Sequence, residues 1–373
     1  MDSPNDTSPV YAPDYGLDSA DSDGTFFDTD SSNDTMSTLT SGEVAEYFHS
    51  VHGYTYTSDE NLPLVFPVVP STVQLNVLYH TLVRLCQDGQ NVPPEADEVL
   101  RAGGVNPRLS TGARVLDVIT NCGTWVQEMA EEYPSARFLS IDVKPLLPFD
   151  PHPRIAFEVY DVYAGIAEPD ATFDVVHARQ CVTTTKNFNF LLREMHRVLK
   201  PNGILVVTEI PTQGYEWSDP TKILQSAPRR AHGLRLFRRA LKLQGIDLGV
   251  WEDLSARLDP THSLWTERTI DPAVGIVEDL PKAFCPARGF QSIKQRTRLI
   301  PSGPWPEDEA QRLIGSLARF LFTNTWRALI PLMIIMGMDE GDVRRIVDGI
   351  LEEFGDNEIK GYLKCQEWTA RRI

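Results

Sequence analysis

Asp117, Asp142 and Asp161 sit in, or just after, three short apolar runs. Val115-Leu116-Asp117-Val118 gives way to the polar stretch Ile119-Thr120-Asn121-Cys122-Gly123. A helix-forming segment beginning at Trp125 follows and must stop before Pro134. Phe138-Leu139-Ser140-Ile141 ends on Asp142, and Ala156 to Tyr160 ends on Asp161-Val162. Strand, tight turn, helix, strand, acid is the opening unit of a nucleotide site on a parallel sheet. The turn then lies at the carboxyl end of the first strand, where open α/β sheets bind ligands. An acid closing the second strand is placed to accept hydrogen bonds from both hydroxyls of a ribose. A fourth run, Phe173-Asp174-Val175-Val176-His177, brings His177 and Arg179 to the same edge. His177 is there either a general base or a structural hydrogen-bonding histidine. Arg179 reads as a loop or pocket anchor. Cys122 and Cys181 lie on loops at this edge, with no paired base to make either thiol a nucleophile.

The elements that must hold these residues alternate in type. Phe188 to Leu199 carries Phe190, Leu191, Met195, Val198 and Leu199 on one helical stripe. A turn at Lys200-Pro201-Asn202-Gly203 leads into Ile204-Leu205-Val206-Val207, apolar throughout as a central parallel strand should be. Upstream, Thr72 to Leu85 has apolar residues on helical spacing, and a short helix is expected near Glu95 to Ala102. Downstream come a helical stretch from Trp217 to Leu258 and a strand from Gly289-Phe290 to Leu299. The turn Gly303-Pro304-Trp305-Pro306, helices over Glu307 to Leu332 and Asp339 to Phe354, and a closing strand from Ile359 to Thr369 complete the chain.

Val115 to Gly123 resembles motif I of the class I S-adenosyl-L-methionine (SAM) methyltransferases. The usual form of that motif is an acid, one residue, then three glycines at alternate positions. Asp117 and Gly123 match it, while Ile119 and Asn121 stand where the first two glycines belong. The stretch from FDVVHAR to RVLKPNGILVVTE resembles the fourth strand, helix and fifth strand of the same family. The GPWP segment, the helices after it and the closing strand resemble the fungal LaeA-like group, over roughly Gly53 to Ile373. The resemblance implies a Rossmann-like α/β fold: a seven-stranded, mainly parallel, doubly wound sheet whose last strand is antiparallel to its neighbours. With an acidic tail (residues 1–42) outside the resemblance, the organisation expected is an N-terminal helical cap (43–114) and a methyltransferase-like domain (115–373), with helical insertions at about 217–258 and 307–354. SAM is expected against Asp117, Ile119, Asn121, Gly123, Trp125, Asp142, Val143, Asp161, Val162 and Arg179, with Asp142 on the ribose and Asp161-Val162 at the adenine. The helix over Thr72 to Leu85 is expected to lie over this pocket, and the 217–258 insertion to build its substrate side.

The function implied is methyl transfer to a small molecule in fungal secondary metabolism. Two alternatives stand beside it: a weakly catalytic LaeA-like regulator that works through protein partners, and a methyltransferase scaffold reused for other chemistry. A β-branched Ile119 in a glycine position carries strain of about 1–3 kcal/mol. If that strain falls on the bound form, replacing Ile119 and Asn121 by glycine raises SAM affinity by roughly one to two orders of magnitude.

Composition narrows the classes. The net charge is −17, and 13 of the 52 acidic residues lie in residues 1–60, which hold no lysine or arginine. The remainder carries 39 acidic against 35 basic residues, with no basic cluster of the kind a nucleic-acid surface needs. Five scattered cysteines without a CxxC pair argue against a disulfide framework or a zinc module. The longest strongly apolar run, Ala328 to Met338, contains Pro331 and is too short to span a bilayer. With no basic-plus-apolar leader, a cytoplasmic or nuclear location is expected. Rich in Asp, Ser, Thr and Pro, residues 1–42 are expected to be disordered. Deleting them should leave the thermal unfolding midpoint unchanged; a drop of several degrees would show that the tail packs.

Overall fold

The computed structural model describes residues 41–59, 61–106, 112–145, 152–161, 163–266 and 288–373. The acidic stretch 1–40 and Val162 lie outside the described residues. The described part opens with α1 (Ser41–Glu46), β1 (Phe48–Val51), β2 (Tyr54–Thr57), α2 (Pro70–Cys86) and α3 (Pro94–Arg101). The segment expected to be a helical cap therefore contains an antiparallel hairpin, β1 against β2. His52 and Gly53 make its two-residue turn with φ of +50° and +79°, the handedness that suits the twist of a hairpin. Alternating Tyr and Thr in Tyr54–Thr57 favour strand over helix.

The main sheet is built from β3 (Arg114–Val118), β4 (Arg137–Asp142), β5 (Ile155–Val159), β6 (Phe173–Arg179), β7 (Leu199–Glu209), β8 (Phe290–Pro301) and β9 (Tyr362–Arg372). Its order is β5-β4-β3-β6-β7-β9-β8. The five strands from β5 to β7 are parallel, and β9 runs antiparallel to both β7 and β8. This is the expected seven-stranded, mainly parallel sheet. α4 (Thr124–Glu132) follows β3, and α5 (Phe188–Val198) joins β6 to β7. α6 (Pro228–Leu243), α7 (Val250–Leu258) and α8 (Ser263–Thr266) follow β7. α9 (Glu309–Ala328), α10 (Ile330–Ile335) and α11 (Glu340–Gly355) separate β8 from β9.

Both faces of the sheet are covered, which is why its strands read as continuous apolar runs. Leu116, Val118, Leu139, Ile141, Val176 and Ala178 pack on the face that carries α5 and α9. Val115, Phe138, Val175, Ile204 and Val206 pack on the face that carries α3 and α4. Two boundaries differ from expectation. Lys200–Gly203 falls within β7, yet these four residues oppose Asp174 alone, between the pairs Phe173–Leu199 and Val175–Ile204. Lys200 Nζ thereby folds back to Asp174 Oδ2 at 2.8 Å, and the same buried carboxylate accepts Val105 N and Arg114 N. The closing strand begins at Tyr362 because Asp356 turns the chain first, accepting Glu358 N on its side chain.

α9 is pressed against the GPWP segment. A Cβ on Gly315 would lie 2.0 Å from the Gly303 carbonyl oxygen. Gly315→Ala should therefore lower stability by about 1–3 kcal/mol, the usual cost of overpacking. Gly355→Ala, where a Cβ meets nothing within 4 Å, should be neutral within about 0.5 kcal/mol. Urea unfolding of both variants checks the pair; equal midpoints would refute the close approach.

Candidate active site

The turn after β3 keeps a glycine-type backbone without its glycines. Ile119, Asn121 and Gly123 have φ of +59°, +58° and +70°. Neighbouring groups hold it there. Thr120 N donates to Ile141 O at 3.1 Å, and Asn121 N donates to Asp142 Oδ2 at 2.8 Å. Asn121 Nδ2 reaches back to Ile119 O at 2.8 Å, and Gly123 N donates to Thr120 O at 3.1 Å. The other Asp142 oxygen accepts Val143 N at 2.8 Å and stands 3.5 Å from Lys144 Nζ. Asp142 is 1% exposed, so its carboxylate serves the turn from inside. Ile119 is 2% exposed and packs in the main hydrophobic core. Its strain is therefore carried in folding, and its side chain leaves the ligand edge clear.

Asp117, His177 and Trp125 form a buried group on the opposite face of the sheet. His177 Nδ1 donates to Asp117 Oδ1 at 2.8 Å, and Ser140 Oγ donates to Asp117 Oδ2 at 3.1 Å. The imidazole stacks on Trp125 at 3.6 Å and 8°, and Trp125 Nε1 donates to Asn91 O. Burial holds His177 below its usual range against the raising effect of Asp117. Burial also works to raise Asp117, but the His177 hydrogen bond outweighs it and keeps the carboxyl below its ordinary value. Neutral imidazole on carboxylate is a structural pair. Neither His177, expected as a base, nor Trp125, expected at the cofactor, borders the cavity described next. The reason is strand length: β6 runs two residues past His177, so His177 lies back against α4 while Arg179, on the same face, reaches the strand end.

A cavity of about 310 Å³ opens at the carboxyl ends of the parallel strands. Asn121, Cys122, Val143, Arg179 and Gln180 border one end, under Val73, Asn76 and Tyr79 of α2. Arg179 Nη1 donates to His80 Nδ1 at 3.0 Å, and His80 Nε2 faces Glu128 Oε2 at 3.2 Å. Burial and the Arg179 charge pull His80 down to about 4. α2 is thus tied to both β6 and α4. Gln180, itself at φ +58°, donates from Nε2 to Tyr79 Oη. Leu234, Phe237, Trp251, Phe322 and Trp326 form the far end.

Of the residues expected at the cofactor, the cavity brings together Asn121, Val143 and Arg179. Asp117, Ile119, Gly123, Trp125 and Asp142 lie behind its wall. Asp161 is exposed beyond β5 and accepts Tyr163 N at 2.8 Å. One buried acid escaped the sequence reading. Glu209 ends β7; Cys181 N (2.7 Å) and Val182 N (3.2 Å) donate to its Oε1, and Trp251 Nε1 donates to its Oε2 at 3.0 Å. Burial pushes it up to about 7. An acid closing an otherwise apolar strand was the available signal. Cys181 is buried, with its thiol pushed up, and Cys122 Sγ lies 3.2 Å from Thr124 Oγ1. Among the described residues no group of three or more His, Cys, Asp or Glu could hold a metal ion.

Residues 92–247 match a family model described as a methyltransferase domain. The chain is 25% identical over 290 residues to the secondary metabolism regulator laeA of Coprinopsis cinerea, covering 76% of this chain and 64% of that protein. It is 26% identical over 345 residues to the methyltransferase pytC of Aspergillus terreus, covering 91% of each. A solved phosphoethanolamine N-methyltransferase 2 from Haemonchus contortus, in complex with SAM, overlays with a TM-score of 0.37 at 15% identity, covering 80% of this chain and 57% of that one. Residues 92–247 are thus similar to a methyltransferase domain, and most of the chain is similar to LaeA-type regulators and to a fungal methyltransferase.

Two outcomes follow from the buried groups. The raised Glu209 favours the protonated form in the folded state, so its stabilising contribution is complete below about 4.5 and is lost as pH rises to about 7. Between those values the wild type should lose up to ~1.4 kcal/mol per pH unit relative to Glu209→Gln. Urea unfolding of both at pH 5, 6, 7 and 8 checks it, and a pH-independent difference would refute the assignment. Ile119→Gly should relieve about 1–3 kcal/mol of strain but forfeit about 2–5 kcal/mol of core packing. A lower unfolding midpoint is expected; a higher one would mean that strain dominates.

Proposed function

We propose that this LaeA-like class I methyltransferase transfers the methyl group of SAM to a small molecule, in the setting of fungal secondary metabolism. What carries the reading is one continuous cavity that begins at the β3–α4 turn and ends among aromatic side chains. Asn121, Val143, Lys144 and Arg179, with the turn backbone, would hold the cofactor, which supplies a methyl group activated on a sulfonium. Asp142 would act by fixing the Asn121 and Val143 backbone, and its remaining lone pairs suit ribose hydroxyls. Asp161 and Val162 are proposed for the adenine.

The protein's own work is placement. α2 closes over the turn and shields the cavity from water, held by the Arg179–His80–Glu128 chain. α6, α7 and α9 offer an acceptor a rigid apolar surface. Methyl transfer needs in-line approach more than covalent help, and a walled cavity spanning both ends supports that geometry. A second reading, regulation through a protein partner, draws on the regulators among the relatives. It also draws on Leu313 and Phe320, which project 57% and 58% exposed from α9, seven residues apart. Among the described residues no helix is long and apolar enough to cross a membrane.

Calorimetric titration of the full chain with SAM tests the proposal. Binding at one site per chain is expected, weakened at least tenfold in Asp142→Ala. No heat at millimolar SAM would remove the methyltransferase reading. Binding without labelled product, when methyl-labelled SAM is mixed with a fungal small-molecule extract, would favour the regulator.

A further inference from the structure

α6 gathers positive charge onto one face. Its 16 residues hold six lysines and arginines and no aspartate or glutamate. Arg235, Arg239 and Lys242 are exposed at i, i+4 and i+7, so they stand in one row, and Phe237, Ala240 and Leu241 bury the opposite side of the helix. Arg238, partly buried beside the row, meets Glu252 Oε1 at 3.2 Å. Arg235, Arg239 and Lys242 have no ion pair among the described residues. On α11, by contrast, the exposed arginines are neutralised within the helix, Arg344 by Glu340 and Arg345 by Asp342. Like charges three and four residues apart weaken a helix, so an anionic partner would relieve α6 of repulsion that nothing in its own sequence offsets.

Beside the row lies an open groove of about 350 Å³, bordered by Arg235, Arg238, Arg239 and Lys242. Leu224, Ala231 and Leu234 give it an apolar lining, and Ile223 stands 58% exposed at its border. A cavity of about 150 Å³ already holds a benzene ring, so an apolar side chain fits here. The described lining holds no acid and no aromatic ring. A nucleic-acid strand is gripped by rings on which its bases stack, and the groove offers none. A membrane surface calls for an apolar face that stands proud of its charges, whereas Leu224 and Ala231 are recessed, at 4% and 6% exposed. Cations in a row beside a recessed apolar lining describe a peptide that carries both carboxylates and an apolar side chain.

We propose that this groove docks an acidic segment of a partner protein, its carboxylates on Arg235, Arg239 and Lys242 and an apolar side chain against Leu224 and Leu234. The spacing suits an extended chain. Arg235 and Arg239 are separated by about 6 Å of helix rise, and alternate side chains of an extended segment stand about 6.8 Å apart. Each guanidinium can donate two parallel hydrogen bonds to one carboxylate, which fixes orientation as well as charge. The inference stands apart from methyl transfer, since no part of it involves SAM.

Fluorescence anisotropy of the full chain with two short labelled peptides tests the proposal. One repeats Asp-Leu-Glu; the other repeats Asn-Leu-Gln, of the same shape without the charge. The acidic peptide should bind at least about tenfold more tightly. Arg235→Glu combined with Arg239→Glu changes only exposed positions and should bring the two peptides within about threefold. The matched reversal on α11, Arg344→Glu with Arg345→Glu, should leave the preference intact, and Ile223→Ser should weaken the acidic peptide at least about threefold. Equal or undetectable binding of both peptides by the wild type, a comparison that needs no variant, would overturn the proposal. So would a preference kept by the α6 variant or lost equally in the α11 variant. Tighter binding of phosphatidylserine vesicles or of polyuridylate than of the acidic peptide would overturn it in favour of a membrane or a nucleic acid. SAM titration of the same samples keeps the two readings separate: loss of the peptide preference with SAM still bound overturns the docking proposal alone.

Discussion

The site depends on one carboxylate. Asp142 closes β4 and places an oxygen on Asn121 N and the other on Val143 N. Left-handed backbone at a β-branched residue costs about 1–3 kcal/mol. Two hydrogen bonds to a charged acceptor contribute about 1.5–3 kcal/mol each, enough to offset that strain. The carboxylate can do this only because parallel pairing of β3 with β4 sets Val118 opposite Ile141, one residue short of it. Thr120 N on Ile141 O completes the clamp. The same turn holds α4 at the angle at which Glu128 meets His80, so α2 and its roof over the cavity follow from it.

Two other buried acids show how environment divides like groups. Asp117 faces a histidine and a serine and stays ionised; Glu209 faces only neutral N–H donors and is pushed toward protonation. Each ties together segments that the chain order keeps apart. Asp117 joins β3, β4 and β6 under α4. Glu209 joins the loop after β6 to α7, and so fixes Trp251 in the cavity wall. Neither position reports on catalysis by its residue type, because each is satisfied by its neighbours.

Charge is also sorted over the surface. The whole chain carries −17, yet the exposed row of α6 is cationic. An acidic exterior repels dissolved anions weakly and at a distance, since salt screens it within about 8 Å. At contact, Arg235, Arg239 and Lys242 act within that range, so the local sign outweighs the global one.

Much of the fold was legible in the residues alone. Apolar runs bounded by Asp142, Pro134 and the Lys200–Gly203 turn located β3 to β7, and helical stripes located α2 and α5, because period and punctuation are local properties. The hairpin at Phe48–Thr57 was missed, since four-residue strands carry little periodicity and their turn is told by the φ of His52. Asn121, Val143 and Arg179 were placed at the cavity edge because strand ends are readable. His177 and Trp125 stack beneath α4 because His177 lies two residues short of the end of β6, and where a strand ends is the least legible of its features. Arg230, Tyr56 and Thr212 carried no local signal at all. They come to line one cavity through the packing of α6, the hairpin and the loop after β7, distant in sequence. Local patterning thus determined which elements form and where each turns. Tertiary structure alone decided which segments meet around the cavity and which buried groups find partners.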